Sequence, residues 1–280
     1  MVTMNVADLR KDLAQFEVPA AEVELLLANV TGRTTAWLRA NDDAELSDRM
    51  AASAREFVLR RAQGEPIPYI TGSAGFHGHV FHVDPSVLVP RPETEHLVDD
   101  ALDHIRRWVG KLRVADIGTG SGAIACTIAA ELPAARVDAV DISPDALMVA
   151  LNNAHRLGVE LRVQFHLGDL LAPIHKKRYA AIIANLPYVP TADIAESPNP
   201  VSFEPRLALD GGRDGLDLYR KLLPAASECL DVGGALYMEA APPIMDDLVA
   251  LTKALIPDAE VRVGNDYGGR ARYVKVTTPG

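Results

Sequence analysis

Apolar residues recur every three to four positions through the first part of the chain. Val6, Leu9, Leu13 and Phe16 share one helical face. Val23, Leu26, Leu27 and Val30 share another, with Gly32 placed to end that helix. Ser47 is placed to cap a third, longer helix that runs toward Arg61 and stops near Gly64. Pro66 and Pro68 then break the period. Tyr69-Ile70-Thr71-Gly72 and His79-Val80-Phe81-His82-Val83 read as short strands around Gly75 and Gly78, a hairpin-like linker. From Leu112 the period alternates. Strands are predicted at Leu112–Asp116, Arg136–Asp141, Leu161–His166, Ala180–Ala184 and Ala235–Glu239, with two more near Ala259–Val263 and Tyr273–Val276. Helices are predicted at Ala123–Leu132, Asp145–Leu157, Leu216–Leu230 and Ile244–Leu255. This order predicts an α/β chain with a doubly wound, Rossmann-like sheet behind a small N-terminal helical domain. The expected divisions are a helical domain over 1–70, a hairpin linker over 71–85 and a sheet domain over 86–280.

Composition narrows the function class. Of 280 residues, 48% are hydrophobic and 24% charged, which excludes bulk disorder. The net charge of −10 disfavours a surface built to neutralise a phosphate backbone, so no direct nucleic-acid partner is expected. The one tight basic run, Lys176-Lys177-Arg178, precedes an apolar strand and reads as a solvated turn. Cys126 and Cys229 lie in apolar, helix-like stretches without a partner at short spacing, as expected of buried thiols in a reducing compartment. No apolar run reaches the ~18 residues of a membrane span. Met1 to Phe16 carries Asp8, Arg10, Lys11 and Asp12, unlike a secretory signal. A cytoplasmic protein with no membrane partner is expected. His77, His79 and His82 invite a metal reading, but bound zinc usually recruits three or four protein ligands, and no metal is expected.

Candidate chemistry begins at the first strand of the alternating region. Asp116-Ile117-Gly118-Thr119-Gly120-Ser121-Gly122 joins that strand to a helix. Glycines are needed where a backbone turns tightly and a ligand lies against it. Asp141, followed by Ile142, ends the next strand, where a carboxylate can accept both hydroxyls of a ribose. Gly118-x-Gly120-x-x-Ala123 with Asp141 ~20 residues on also satisfies a dinucleotide fingerprint. Three features favour S-adenosylmethionine: the Gly-x-Gly-x-Gly spacing, the acidic Asp116 before it, and Gly168-Asp169-Leu170 after the third strand, placed to meet an adenine.

Asn185-Leu186-Pro187-Tyr188 follows the fourth strand. Methylation of a planar, conjugated nitrogen calls for such a turn. An amide NH₂ attacks poorly because its lone pair is delocalised, so it needs acceptors that hold its two N–H groups and aim the nitrogen. The Asn185 side-chain oxygen is one acceptor and the Leu186 carbonyl the other. Pro187 stiffens the turn, and Tyr188 offers a flat face for the amide. Leu186 is expected to act through its carbonyl alone. An adenine N6 acceptor presents the same conjugated NH₂, and the turn by itself leaves both acceptors open.

The chain resembles the release factor glutamine methyltransferases over nearly its whole length. The resemblance rests on Leu88-Val89-Pro90-Arg91-Pro92-Glu93-Thr94-Glu95, on Asp116 to Ala125, and on Phe203-Glu204-Pro205-Arg206-Leu207-Ala208-Leu209-Asp210-Gly211-Gly212, continuing through Asp214-Gly215-Leu216 and Tyr219-Arg220. It implies a class I methyltransferase fold and S-adenosylmethionine at Gly118 to Gly122, Asp141, Ile142, Asp169, Leu170 and Asn185. It also implies a protein substrate, the glutamine of the Gly-Gly-Gln motif of peptide-chain release factors. Two positions depart from the family. Leu186 stands where Asn-Pro-Pro-Tyr has its first proline, and His77-Gly78 stands where Trp-Gly is more usual.

Overall fold

The computed structural model describes residues 4–194 and 200–278. Its contacts divide them into two units, 4–73 with 200–203 and 74–194 with 204–278.

The first unit is built on helices α1 (Val6–Leu13), α2 (Ala20–Thr31), α3 (Thr35–Ala40), α4 (Asp48–Ala62) and α5 (Ile67–Thr71). Two short strands, β1 (Met4–Asn5) and β2 (Glu45–Leu46), pair antiparallel. Side chains of Asn5, Thr34 and Ser47 each accept a backbone N–H three residues on, satisfying donors that a helix start leaves unpaired. Gly32 closes α2 in the left-handed conformation. Leu9, Leu13, Leu26, Leu27, Leu38 and Val58 fill the core. Helix α3, six residues long, is too short to show a period and was not foreseen. Tyr69–Thr71, within the Tyr69–Gly72 run expected as a strand, is helical. Pro66 and Pro68 do not end a helix here but start one, Gly72 caps it, and Thr71 Oγ1 donates back to the Ile67 carbonyl at 3.0 Å.

Hairpin strands β3 (Ser73–Phe76) and β4 (His79–His82) meet across His77-Gly78, whose φ angles of 49° and 75° suit a two-residue turn. Phe76 and Phe81 from this hairpin sit in the core of the second unit. The seven-stranded sheet of that unit contains β5 (Arg113–Ile117), β6 (Arg136–Asp141), β7 (Val163–Leu167), β8 (Tyr179–Ala184), β9 (Leu230–Glu239), β10 (Glu260–Asn265) and β11 (Ala271–Thr277). Their order is β10-β11-β9-β8-β5-β6-β7. Strands β5 to β9 run parallel, and β11 and β10 add an antiparallel edge. Helices cover both faces. Helices α6 (Pro92–Arg106), α7 (Ala123–Glu131) and α8 (Pro144–Arg156) share one core, while α9 (Asp217–Cys229) and α10 (Met245–Leu255) share the other. Helix α6 escaped the pattern reading although its signals are present. Pro92 and Glu93 open it, and Leu97, Val98, Ala101, Leu102 and Ile105 form its buried stripe. Among the described residues no helix is long and apolar enough to cross a membrane.

One buried acid ties three of the parallel strands together. Asp138 of β6 accepts from His166 Nε2 of β7 at 2.7 Å, Lys177 Nζ at 2.6 Å and Tyr179 OH of β8 at 3.0 Å. The basic run read as a solvated turn therefore sends Lys177 inward. Burial disfavours the charged Asp138, but the bonds from Lys177, His166 and Tyr179 outweigh it and hold its pKa below the ordinary value. A carboxyl depressed by folding contributes stability above its unfolded pKa, and that contribution is lost as pH falls through the folded value. Asp138→Ala is expected to cost ~1–3 kcal/mol at neutral pH, because it strands buried donors. Urea denaturation reads this, and the gap from the parent protein should narrow on acidification through the carboxylate range. Equal stability at neutral pH would show that the cluster contributes nothing.

Candidate active site

Strand register decides where the site residues emerge. Ile117 of β5 lies opposite Ala184 of β8 and Val140 of β6, Asp141 lies opposite Leu167 of β7, and Met238 of β9 lies opposite Ala184. The carboxyl ends of five parallel strands thus stand in one row. Along it come Glu239, Asn185, Gly118, Asp141 and Gly168-Asp169. The chain order reverses between β5 and β8, the switch point where open α/β sheets bind ligands.

The glycine loop is held by acids at both ends. Asp116, fully buried, accepts from Thr119 Oγ1 at 2.6 Å and from the Ala125 amide at 3.0 Å. Its burial pushes the carboxyl up to about 7. Asp141 accepts from the Gly120 amide at 2.8 Å and the Ser143 amide at 2.9 Å, while burial raises its pKa. A carboxylate has lone pairs beyond these two bonds, so Asp141 can brace the loop and still receive ribose hydroxyls. A Cβ on Gly120 would meet nothing within 4 Å, which leaves the loop open for a ligand against its backbone.

Gly118, Thr119, Gly120, Ser121, Asp141, Ile142, Asp169, Leu170, Asn185, Leu186 and Pro187 line one cleft. Ile142 is 54% exposed, an apolar side chain left uncovered at the rim. Leu170 takes φ 48°, a backbone conformation that costs a non-glycine residue energy and recurs at ligand sites. Two expected residues lie off the lining. Gly122 begins α7, where a Cβ would come 3.0 Å from Ala150 Cβ, so a side chain there would crowd α8. Tyr188, expected as a flat face toward the substrate, sends its hydroxyl to Glu239 Oε1 at 3.3 Å. A partly buried phenol needs a partner, and the Glu239 carboxylate supplies it. Leu186, expected to act on the substrate through its carbonyl, has a packed side chain as well. Its side chain is 4% exposed and packs in the core, with Cδ2 2.9 Å from where a Gly118 Cβ would stand.

Asn185 Nδ2 donates to Thr94 Oγ1 at 3.2 Å. That bond uses the donor end of the amide and leaves the lone pairs of its acceptor, Oδ1, for another partner. Thr94, Arg91 and Leu88 line the cleft, as do Pro205 and Leu207. Buried Glu204 joins these two segments by accepting from the Val89 amide at 3.1 Å and from the Arg91 guanidinium. Among the described residues no group of three or more His, Cys, Asp or Glu side chains is gathered to hold a metal, and His77 Nε2 instead faces Asp99 at 3.0 Å.

Two family models match the chain, the PrmC N-terminal domain at residues 6–72 and the methyltransferase small domain at residues 97–197. The chain is 43% identical to a release factor glutamine methyltransferase of Moorella thermoacetica, across 91% of this chain and 90% of the relative. The chain belongs to the release factor glutamine methyltransferase family. A family member from Deinococcus radiodurans is 40% identical over 96% of this chain and 95% of its own. In fold, the chain is similar to a solved 16S rRNA N2 G1207 methyltransferase of T. thermophilus in complex with AdoMet and guanosine. That match has TM-score 0.55 and 16% identity and covers 74% of this chain and 49% of that one.

Arg91, Thr94 and Glu204 lie within the segments that carry the family resemblance, and Glu239 lies outside them. Glu239 carries the signal that marked Asp141, an acid ending a buried strand. The glycines after Asp210 also gain a physical reason. Gly211 donates to the Val189 carbonyl at 2.9 Å, and Val189 donates to the Leu209 carbonyl at 3.0 Å, so this loop backs the Asn-Leu-Pro-Tyr turn. Gly215 takes φ 80°, and a Cβ there would stand 2.4 Å from the Tyr188 carbonyl oxygen. In this member of the release factor glutamine methyltransferases, Gly215→Ala is expected to lose more than the ~1–2 kcal/mol of left-handed strain, since the turn must also shift. Chemical denaturation with a parallel activity assay measures both losses. Unchanged stability would mean that the loop does not press on the turn.

Proposed function

We propose that this chain methylates the side-chain amide nitrogen, N5, of the glutamine in the Gly-Gly-Gln motif of peptide-chain release factors. As a member of its family it is an S-adenosylmethionine-dependent protein glutamine methyltransferase. One observation carries the reading. Asn185, its Nδ2 tied to Thr94, stands at the end of β8 beside Gly118 at the end of β5. An amide-holding acceptor is thus next to a loop suited to an adenosyl cofactor.

The cleft fits that cofactor. Gly118 to Gly122 supply backbone for close approach, Asp141 an acceptor for ribose hydroxyls, and Ile142, Asp169 and Leu170 the surroundings of the adenine. When bound, S-adenosylmethionine supplies an electrophilic methyl group on a positively charged sulfur. The chain's own task is to aim a poor nucleophile. Asn185 Oδ1 and the Leu186 carbonyl accept the two N–H groups of the glutamine amide and turn its nitrogen toward the methyl group. Pro187 fixes the turn, while Tyr188 braces it from behind. No strong general base is needed, because the methylated nitrogen sheds its proton after transfer. The helical N-terminal unit, whose described residues form no glycine loop of this kind, is assigned to recognition of the protein substrate. The cytoplasm is the proposed compartment, consistent with two free, buried cysteines. Adenine N6 presents the same conjugated NH₂, but the relatives named for release factor glutamine do not favour it.

Mass spectrometry of a release factor incubated with enzyme and cofactor tests the assignment, with one added methyl group expected on the Gly-Gly-Gln peptide. Asn185→Ala should lower kcat by ~100-fold, since a misplaced nucleophile loses most of its orientation advantage. Near-normal turnover in that variant would overturn the amide-holding mechanism. Asp141→Ala should weaken S-adenosylmethionine binding by ~1–3 kcal/mol through lost charged hydrogen bonds. Calorimetry showing unchanged affinity would move the ribose site elsewhere.

A further inference from the structure

Glu239 ends β9, one strand beyond Asn185, and is 3% exposed. Its Oε1 accepts from Tyr188 OH at 3.3 Å, and its backbone carbonyl accepts from Tyr219 OH. Among the described residues its Oε2 has no hydrogen-bond partner. Thr94, in the first turn of α6, faces the same carboxylate, and its hydroxyl oxygen accepts from Asn185 Nδ2 at 3.2 Å. A hydroxyl carries one proton. With an Asn185 N–H directed at the Thr94 oxygen, the Thr94 proton is left for the acid. An ionised carboxylate only accepts, so the chain from Asn185 through Thr94 to Glu239 then has a single direction.

We infer that Thr94 and Glu239 are positioning residues that decide which end of the Asn185 amide faces the substrate. The inference rests on the glutamine reading, since it is the glutamine NH₂ that needs Oδ1 turned toward it. Charged and titratable neighbours come from every side of Glu239: Glu93 from α6, Tyr188 from the turn after β8, Tyr219 from α9 and Arg272 from β11. Burial is the largest influence and pushes the carboxyl up to about 7. Once protonated, Glu239 becomes a donor. The Thr94 proton is then free to point at Asn185, and the amide can turn over. An Asn185 NH₂ would then meet the substrate NH₂, two donors without an acceptor between them. Turnover therefore falls as the pH drops below about 7.

The test uses the full chain and an intact release factor. It compares the parent protein with Thr94→Val, Thr94→Ser and Glu239→Gln, reading kcat and KM across pH, cofactor affinity by calorimetry, and melting. Thr94→Val keeps the shape and loses the hydroxyl. It should lower kcat by ~10–100-fold while KM and cofactor affinity stay within about twofold, because orientation is lost and binding is not. Thr94→Ser restores the hydroxyl and should recover most of that rate. The parent kcat should show an acid limb near 7 that is one proton shallower in Glu239→Gln, where only Asp116 of the two acids raised to about 7 still titrates. Normal turnover in Thr94→Val, no recovery in Thr94→Ser, or the same limb in Glu239→Gln overturns the inference. Should Glu239→Gln not fold, the two Thr94 variants decide it alone. A parent protein that leaves the glutamine unmethylated sinks the glutamine reading and the relay with it. A parent that methylates no better than Thr94→Val sinks the relay only.

Discussion

Strands β5 and β8 run parallel with Ile117 opposite Ala184, so the two chains leave the sheet at one level, a single interstrand spacing of ~4.8 Å apart. Gly118 and Asn185 are the first residues out. Their proximity is not a property of either segment, since 66 residues of chain separate their numbers. A slip of one residue between these strands would turn every side chain of one of them to the opposite face and part the cofactor loop from the acceptor turn. Buried hydrophobic residues on both faces of the sheet hold the register, with Ile183 in one core and Ile182 in the other.

Around that junction the site is braced from behind. Glu204 accepts from Val89 and holds Arg91 along one wall of the cleft. The glycines after Asp210 let a second loop press on the Pro187-Tyr188 backbone. Thr94 orients Asn185, and Glu239 lies behind Thr94 and Tyr188. A rate that depends on aiming a weak nucleophile needs this kind of support, because a small displacement of an acceptor is felt directly in turnover. Asp116 and Glu239 are both deeply buried, and burial pushes both carboxyls up to about 7. Each is tied to backbone or hydroxyl groups next to the cleft, which is where perturbed acids are expected to gather.

Much of this was legible in the order of residues. Period alone determined the helical N-terminal region, the alternation of strands and helices, and the positions of Gly118 to Gly122, Asp141 and Asn185 at strand ends, because burial imposes a repeat of 3.6 or 2 wherever an element has one wet face. The prolines misled at Tyr69–Gly72, since the same residue that breaks a helix inside is welcome in its first turn. What only the tertiary structure decided is the pairing of distant segments. That Asn185 reaches Thr94, that Glu204 clamps Val89 and Arg91, that Leu186 fills the space a side chain on Gly118 would need, and that Tyr188 turns back to Glu239 all depend on contacts between residues far apart in the chain. Local periodicity records which side of an element is buried, but it carries no information about which buried side meets which.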